Sequence, residues 1–99
     1  MEELRKQLLH EVVRVYGPLQ GQNIGAIIIP AFIGDFKNVL DKADTSDEIY
    51  EEYMTEDKKI HVVLEGRRKL ASKGVRLEVT GCVVNGVRLP LTKEHCYVQ

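Results

Sequence analysis

The first sixteen residues repeat apolar side chains at the spacing of an α-helix. Leucine and valine recur every three or four positions from Leu4 to Tyr16, and charged residues fill the remaining positions. Gly17 and Pro18 follow at once, and this pair is typical of a helix end because glycine supplies a C-cap and proline cannot continue the helix. The pattern predicts an amphipathic helix over residues 2–16.

A glycine-rich stretch and a short apolar run come next. Three glycines spaced four residues apart predict a loop over residues 17–25. The β-branched run over residues 24–29, closed by Pro30, is typical of a buried central strand, with a helix as the alternative. Apolar residues at positions i, i+3, i+4 and i+7 then predict a short helix over residues 34–43.

The middle of the chain has helical spacing over most of its length. Thr45 followed by Glu48 forms a capping box, which predicts that a new helix begins there. Helical spacing resumes after residue 57 and predicts a helix that ends near Lys73, with Gly74 as its C-cap glycine and Leu70 in contact with Val75. The competing interpretation is a strand over residues 60–64.

The last quarter of the chain carries the strand signals. Apolar and polar residues alternate over residues 75–80, and the Asn85-Gly86 pair predicts a β-hairpin. The return strand runs from Val87 to Leu91, and its proline marks it as an edge strand. Gly81 interrupts the alternation and predicts a bulge.

Together these elements predict an α+β fold in one domain, residues 1–99. It consists of an N-terminal amphipathic helix and a small three-stranded mixed sheet with a C-terminal β-hairpin, with helices packed on the sheet. The strand over residues 24–29 is expected to lie parallel to the one that begins at Val75, through a right-handed crossover. The alternative turns residues 24–29 into helix and gives a helical bundle with a hairpin, similar to a winged helix.

The composition is that of an ordinary soluble domain, with 43% apolar and 29% charged residues, and excludes a disordered or low-complexity chain. The longest uninterrupted apolar run is far shorter than the roughly 20 residues that span a bilayer. The N-terminus lacks the features of a secretory signal, and two cysteines in such a chain are expected to be reduced. We therefore expect a cytoplasmic protein without a membrane segment.

Few residues carry catalytic or metal-binding signals. No two histidines are four residues apart, and the only candidate metal ligands are His95, Cys96 and Cys82. The glycines at 17, 21 and 25 lack the lysine and the strand–helix context of a phosphate loop. Asp35, beside Phe36, is the one carboxylate placed where a small-molecule pocket is plausible. We expect no catalytic residue, cofactor or metal.

Charge is unevenly distributed along the chain, although its net value is only −1. Residues 41–57 contain eight acids and one base, and residues 58–99 contain nine bases and three acids. Opposite charges on one surface favour contact with a partner. The candidate interaction residues combine the aromatic and sulfur side chains of the acidic segment with bases of the other: Tyr50, Tyr53, Met54, Arg67, Arg68, Lys69, Lys73 and Arg76.

Three functions are compatible with the sequence. The first is a small non-catalytic regulatory or protein-interaction domain, which acts as a homodimer or on a partner protein through a charge-segregated helical surface. The second is a nucleic-acid-binding module that uses the basic 58–76 region, although a pI of about 6.3 and the lack of aromatic residues there disfavour it. The third is a small-molecule-binding protein or enzyme with a pocket near Asp35.

Overall fold

The computed structural model describes residues 2–44, 48–91 and 97–98. Two helices, α1 (Glu2–Tyr16) and α2 (Pro18–Asp41), precede five strands. The strands are β1 (Glu48–Met54), β2 (His61–Ala71), β3 (Gly74–Val84), β4 (Val87–Arg88) and β5 (Tyr97–Val98). They form one antiparallel sheet in the order β1-β2-β3-β4, and β5 also pairs with β3. The predicted α+β class is confirmed.

Helix α1 ends where the sequence predicts. Gly17 has φ of 92°, a conformation that favours glycine, and Pro18 occupies the first turn of α2, where its missing N–H costs nothing. Gly17 therefore separates two helices that fold back on each other.

The predicted loop over residues 17–25 and strand over residues 24–29 are wrong because residues 18–41 form the single 24-residue helix α2, so the alternative helical interpretation of residues 24–29 is the correct one. The loop over residues 17–25, the strand over residues 24–29 and the separate helix over residues 34–43 merge into this one element. A Cβ atom on Gly21 would lie 2.5 Å from the Cα of Val13, so the glycine permits close contact with α1. The benefit of helix packing outweighs the strand preference of the β-branched run.

One buried stripe explains why α2 is a single helix. Its buried residues recur at three- or four-residue intervals: Gly21, Gly25, Ile29, Ile33, Phe36 and Leu40. Pro30 is exposed inside the helix, where it removes only one backbone hydrogen bond. By length and composition α2 could also cross a membrane, but core helices of soluble proteins satisfy the same criterion, so it does not decide where the protein resides.

The helices predicted between residue 45 and Lys73 are also wrong, and the competing strand over residues 60–64 is closer to the structure. The expected helix start at Thr45 lies outside the described residues. Strands β1 and β2 form a hairpin in which Glu48 lies opposite Arg67. Gly74 has positive φ, as expected, but it is the first residue of β3, directly after the turn from β2. Leu70 and Val75 do meet, as partners on neighbouring strands.

The C-terminal hairpin is confirmed. Asn85 and Gly86 both have positive φ, as a type I′ turn requires, although the return strand β4 covers only Val87–Arg88. The register shifts between Gly81 and Val79, which confirms a bulge beside Gly81. The sheet is antiparallel rather than mixed, because the segment expected to supply the parallel strand is helical. The alternative bundle similar to a winged helix is right that residues 24–29 are helical, but it is wrong for the segment that follows, where the two strands β1 and β2 replace the expected helices.

The inner face of the sheet packs on the helices around Phe36. This side chain is fully buried, and a Cβ atom on Gly66 of β2 would lie 2.9 Å from its ring. The buried cluster combines residues of α1, α2, β2 and β3: Leu4, Leu8, Val12, Ile29, Ile33, Phe36, Leu40, Val62, Leu64, Leu77, Val79, Cys82 and Val84.

Candidate functional site: a groove between α2 and the β1–β2 turn

A groove of about 510 Å³ lies between the first half of α2 and the end of β1. Its floor and walls are mostly apolar, and its lining residues are Tyr16, Ile24, Ile27, Ile28, Phe32, Met54, Thr55, Glu56 and Asp57. Ile27 is 73% exposed and Met54 is 50% exposed. Two large apolar side chains of one groove thus face solvent, which is a feature of interaction sites.

The sequence folds locally to give the groove a polar edge. The turn between β1 and β2 is closed by two backbone hydrogen bonds, from Thr55 to the carbonyl of Ile60 (3.0 Å) and from Lys58 to the carbonyl of Thr55 (2.9 Å). Inside it, the Asp57 carboxylate accepts hydrogen bonds from the Thr55 hydroxyl at 2.7 Å and from the Lys59 backbone N–H at 3.1 Å.

Tyr16, the last residue of α1, ties this turn to the helices. Its hydroxyl lies 2.7 and 2.8 Å from the two Asp57 carboxylate oxygens and donates to them. The Lys59 ammonium lies 5.7 Å from the centre of the Tyr16 ring, within the range of a cation–π contact. The rim of the groove is therefore fixed to the helix pair.

These contacts determine the charge of the rim. Hydrogen bonds from Thr55, Tyr16 and the Lys59 backbone lower the pKa of Asp57 to about 2. Burial raises the pKa of Tyr16 above its usual value, and the hydrogen bond to Asp57 and its charge add to this, whereas the hydrogen bond between Tyr16 and Thr55 partly offsets it. At neutral pH, Asp57 is an anion and Tyr16 a neutral hydrogen-bond donor.

Replacing Tyr16 with phenylalanine tests this network. We expect the pKa of Asp57 to rise above 2 but to stay below its usual value, because the Thr55 and Lys59 donors remain. Since folding depresses the pKa of Asp57, its contribution to stability is present above about pH 4 and is lost as pH falls toward 2. NMR titration of the Asp57 carboxyl carbon measures this pKa in the wild type and in Tyr16→Phe. An unchanged midpoint in the variant contradicts the hydrogen bond assigned between Tyr16 and Asp57.

An aromatic pair supports the groove from the sheet side. The rings of Phe32 and Tyr53 are stacked, with centroids 5.2 Å apart and planes inclined by 21°. Burial, followed by repulsion from Glu51 and Asp35, raises the pKa of Tyr53 to about 12. Tyr53 stays neutral over the physiological range, and it holds β1 against α2.

The structure divides the predicted interaction residues of the acidic segment. Met54 lines the groove, and Tyr50, on the same face of β1, is 68% exposed. Tyr53 points to the opposite face and packs on Phe32. The helical surface expected to carry these three residues is not formed, because β1 is a strand and successive side chains alternate between faces.

The five predicted basic residues are also divided between two faces. The guanidinium of Arg67 bonds the carboxylate of the buried Glu78 at 3.0 Å. Arg68 faces inward and donates to the carbonyl of Ala43 at 3.0 Å, so it fixes the end of α2. The other three lie near the turn between β2 and β3, where all are exposed: Lys69, Lys73 and Arg76.

Ion pairs also connect side chains on different strands of the sheet. His61 lies 3.1 Å from Glu52 on β1, and Arg88 binds Glu65 at 2.9 Å. The Arg88 bond lowers the pKa of Glu65. A Cβ atom on Gly81 would clash with both partners of this pair, so the glycine lets the ion pair cross β3. Acidic and basic segments thus meet inside one sheet.

The residues weighed for chemistry are dispersed. Asp35 is exposed and does not line the groove. Cys82 is a free, fully buried thiol, whereas His95 and Cys96 lie outside the described residues. Within residues 2–44, 48–91 and 97–98 the structure has no group of three metal-ligating side chains.

No known protein family, curated protein or solved structure matches the chain. The site is therefore defined by its geometry alone. Sequence reasoning missed the contribution of α2, because the run over residues 24–29 was assigned to a strand. The sequence did contain a signal. If this run is a helix, its isoleucines point in several directions, so they cannot all pack on one core: Ile24, Ile27 and Ile28 line the groove, and Ile29 is buried in the core.

Proposed function

We propose that the protein is a non-catalytic interaction domain whose groove binds an apolar segment of a partner protein flanked by basic residues. One observation carries this proposal: exposed isoleucine and methionine side chains line the same groove as the Asp57 carboxylate. Binding would remove the apolar surface of Ile27 and Met54 from water, at about 25 cal/mol per Å².

The charge of the rim determines which partner segments the groove selects. Glu56 and Asp57 are both exposed at the edge of the groove. Carboxylates in this position attract lysine or arginine on an incoming segment and repel acidic segments. The bound segment should therefore combine two or more aliphatic side chains with adjacent bases.

The pKa values at the site support binding rather than proton-transfer chemistry. A general acid or base works best when its pKa is close to the working pH. The pKa of Asp57 lies near 2 and that of Tyr53 near 12, and the pKa of Tyr16 is raised further from neutrality. None of the three would exchange a proton readily at neutral pH.

Fluorescence anisotropy with two synthetic peptides tests the proposal. The first peptide combines leucines with lysines, and the second carries glutamates in place of the lysines. We expect the lysine peptide to bind and the Ile27→Glu variant to weaken its binding by at least about tenfold. Leu19→Glu is the matched control, since Leu19 is exposed on the same helix but does not line the groove.

The result is informative in either direction. Ile27 and Leu19 are 73% and 81% exposed, so either glutamate should leave the fold intact, and both add the same charge. Equal binding of the lysine and glutamate peptides, or equal weakening by the two variants, contradicts the proposal.

A second candidate function, nucleic-acid binding, rests on the bases near the β2–β3 turn. A two-stranded ribbon fits the DNA major groove, and Lys69, Lys73 and Arg76 are exposed on this one. Phosphate contacts would make binding to duplex DNA fall steeply with salt. Absence of binding at low salt excludes this function.

A further inference from the structure

The end of the β2–β3 hairpin carries an apolar pair on an exposed surface. We call residues 69–76 the hairpin tip. Leu70 and Val75 lie directly opposite each other and are 67% and 42% exposed. They continue the inward-facing rows of β2 and β3, where Leu64 and Leu77 are buried. The tip therefore extends the apolar face of the sheet beyond the part that the helices cover.

The same tip carries bases beside the apolar pair. Lys69 and Arg76 are cross-strand partners on the opposite face, and Lys73 lies in the turn itself. An aliphatic pair next to Lys73 in the turn has the chemistry that the groove and its acidic rim would select. The groove and the tip are thus complementary surfaces of one chain.

A molecule cannot place its own tip in its own groove. The groove adjoins the turn at the start of β2, and the tip lies at the other end of that strand. At about 3.3 Å per residue, the 11-residue strand β2 separates them by roughly 33 Å. Any contact between the two surfaces must join different copies.

We propose that the partner segment is the hairpin tip of a second copy of this chain, an inference that rests on the proposed function of the groove. Leu70 and Val75 of one copy lie on Ile27 and Met54 of the other, with Lys73 near Glu56. When the long axes of two copies run antiparallel, each copy inserts its tip into the groove of the other. A two-fold symmetric dimer then contains the contact twice.

The free edge of β1 is a weaker candidate for self-association. Among the described residues, β1 pairs only with β2, so its other edge is open. It carries three glutamates within seven residues, Glu48, Glu51 and Glu52. Edge-to-edge pairing of two copies would bring these like charges together, whereas the tip and the groove have opposite charges.

Sedimentation equilibrium of the full chain and of exposed-site variants tests the dimer. We expect the wild type to have twice the 11.3 kDa chain mass, and Leu70→Asp and Ile27→Glu each to sediment as monomers. A mixture of these two variants should form a heterodimer, because the intact tip of Ile27→Glu fits the intact groove of Leu70→Asp. Leu19→Glu should remain dimeric.

A charge exchange tests the rim contact independently. Lys73→Glu and Glu56→Lys should each raise the dissociation constant of the dimer by at least about tenfold, and the double variant should restore it. Failure of the double variant to recover contradicts the contact between Lys73 and Glu56. A wild type that stays at 11.3 kDa to millimolar concentration overturns the dimer itself.

The two proposals fail in different ways. In Leu70→Asp the groove is not occupied by the hairpin tip of a second copy, so the lysine peptide should bind this variant more tightly than the wild type. Peptide binding by a monomeric wild type would overturn the dimer and leave the groove function standing. Absence of peptide binding to Leu70→Asp would overturn the groove function. If the wild type is monomeric and binds DNA in a salt-sensitive way, and Lys73→Glu abolishes this binding, the tip would be a nucleic-acid-binding site.

Discussion

Replacing Gly21 with alanine will lower the free energy of unfolding by about 3 kcal/mol, the upper part of the range for overpacked sites. The new Cβ atom would lie 2.5 Å from the Cα and 3.0 Å from the backbone nitrogen of Val13. Both atoms belong to the backbone of α1, so no side-chain rotation relieves the contact and the helices must separate. Their separation opens the core around Leu8 and Val12.

Gly34 provides the matched control on the same helix. A Cβ atom there meets no atom within 4 Å, so alanine gains helix propensity without a clash. We expect Gly34→Ala to stabilise the protein by about 0.5–1 kcal/mol. Thermal unfolding measures both variants, since 1 kcal/mol shifts the midpoint by about 4–8 °C in a domain of this length. Shifts of the same sign would contradict the assigned packing of α1 on α2.

Replacing Phe36 with alanine will destabilise the protein by about 3–5 kcal/mol, the range for a buried phenylalanine. Phe36 is 1% exposed and lies where α2 meets the sheet, against Gly66. The sheet cannot move inward to fill the space, because Gly66 has no side chain and the backbone of β2 already lies against the position of the ring. The loss thus includes both the transfer of the ring to water and the cavity left behind.

Phe32 is the appropriate comparison for Phe36. It lies one turn earlier on α2, is only half-buried, and lines the groove while stacking on Tyr53. We expect Phe32→Ala to destabilise the fold clearly less than Phe36→Ala and to weaken binding of the lysine peptide. Urea titration measures the free energy of unfolding of both variants. A larger loss for Phe32→Ala than for Phe36→Ala would contradict the assignment of Phe36 to the centre of the core.

Elements with local stop signals could be predicted from the sequence. Helix α1 is closed by Gly17 and Pro18, and the C-terminal hairpin is specified by Asn85 and Gly86. Both signals act through the backbone of the residues themselves, because they set φ or remove an N–H group. Tertiary contacts were not needed to decide either element.

Helix α2 could not be predicted because its stability comes from a partner element. Gly21 and Gly25 look like loop residues until α1 lies against them, and the isoleucine run has strand propensity. Strand β1 was misassigned for a related reason. Ile49 and Tyr53 are four residues apart, which suits one face of either a helix or a strand.

The candidate site was predicted only in part. Tyr50, Met54 and the exposed bases near Lys73 were selected for their chemistry, and the structure leaves them on the surface. The charge asymmetry alone could not show that Arg67 binds Glu78, since this pairing depends on the register of two neighbouring strands. Nor could it locate the groove, whose apolar side comes from α2.

The methyl groups of the groove provide the most direct test of the central claim, that an apolar segment with adjacent bases binds there. In ¹³C–¹H NMR spectra of Leu70→Asp, the lysine peptide should shift the methyl signals of Ile24, Ile27 and Met54 to saturation. The Leu19 signals, on the same helix and exposed to solvent, should stay in place. Unchanged signals in the groove, or equal shifts at Leu19, would contradict the claim.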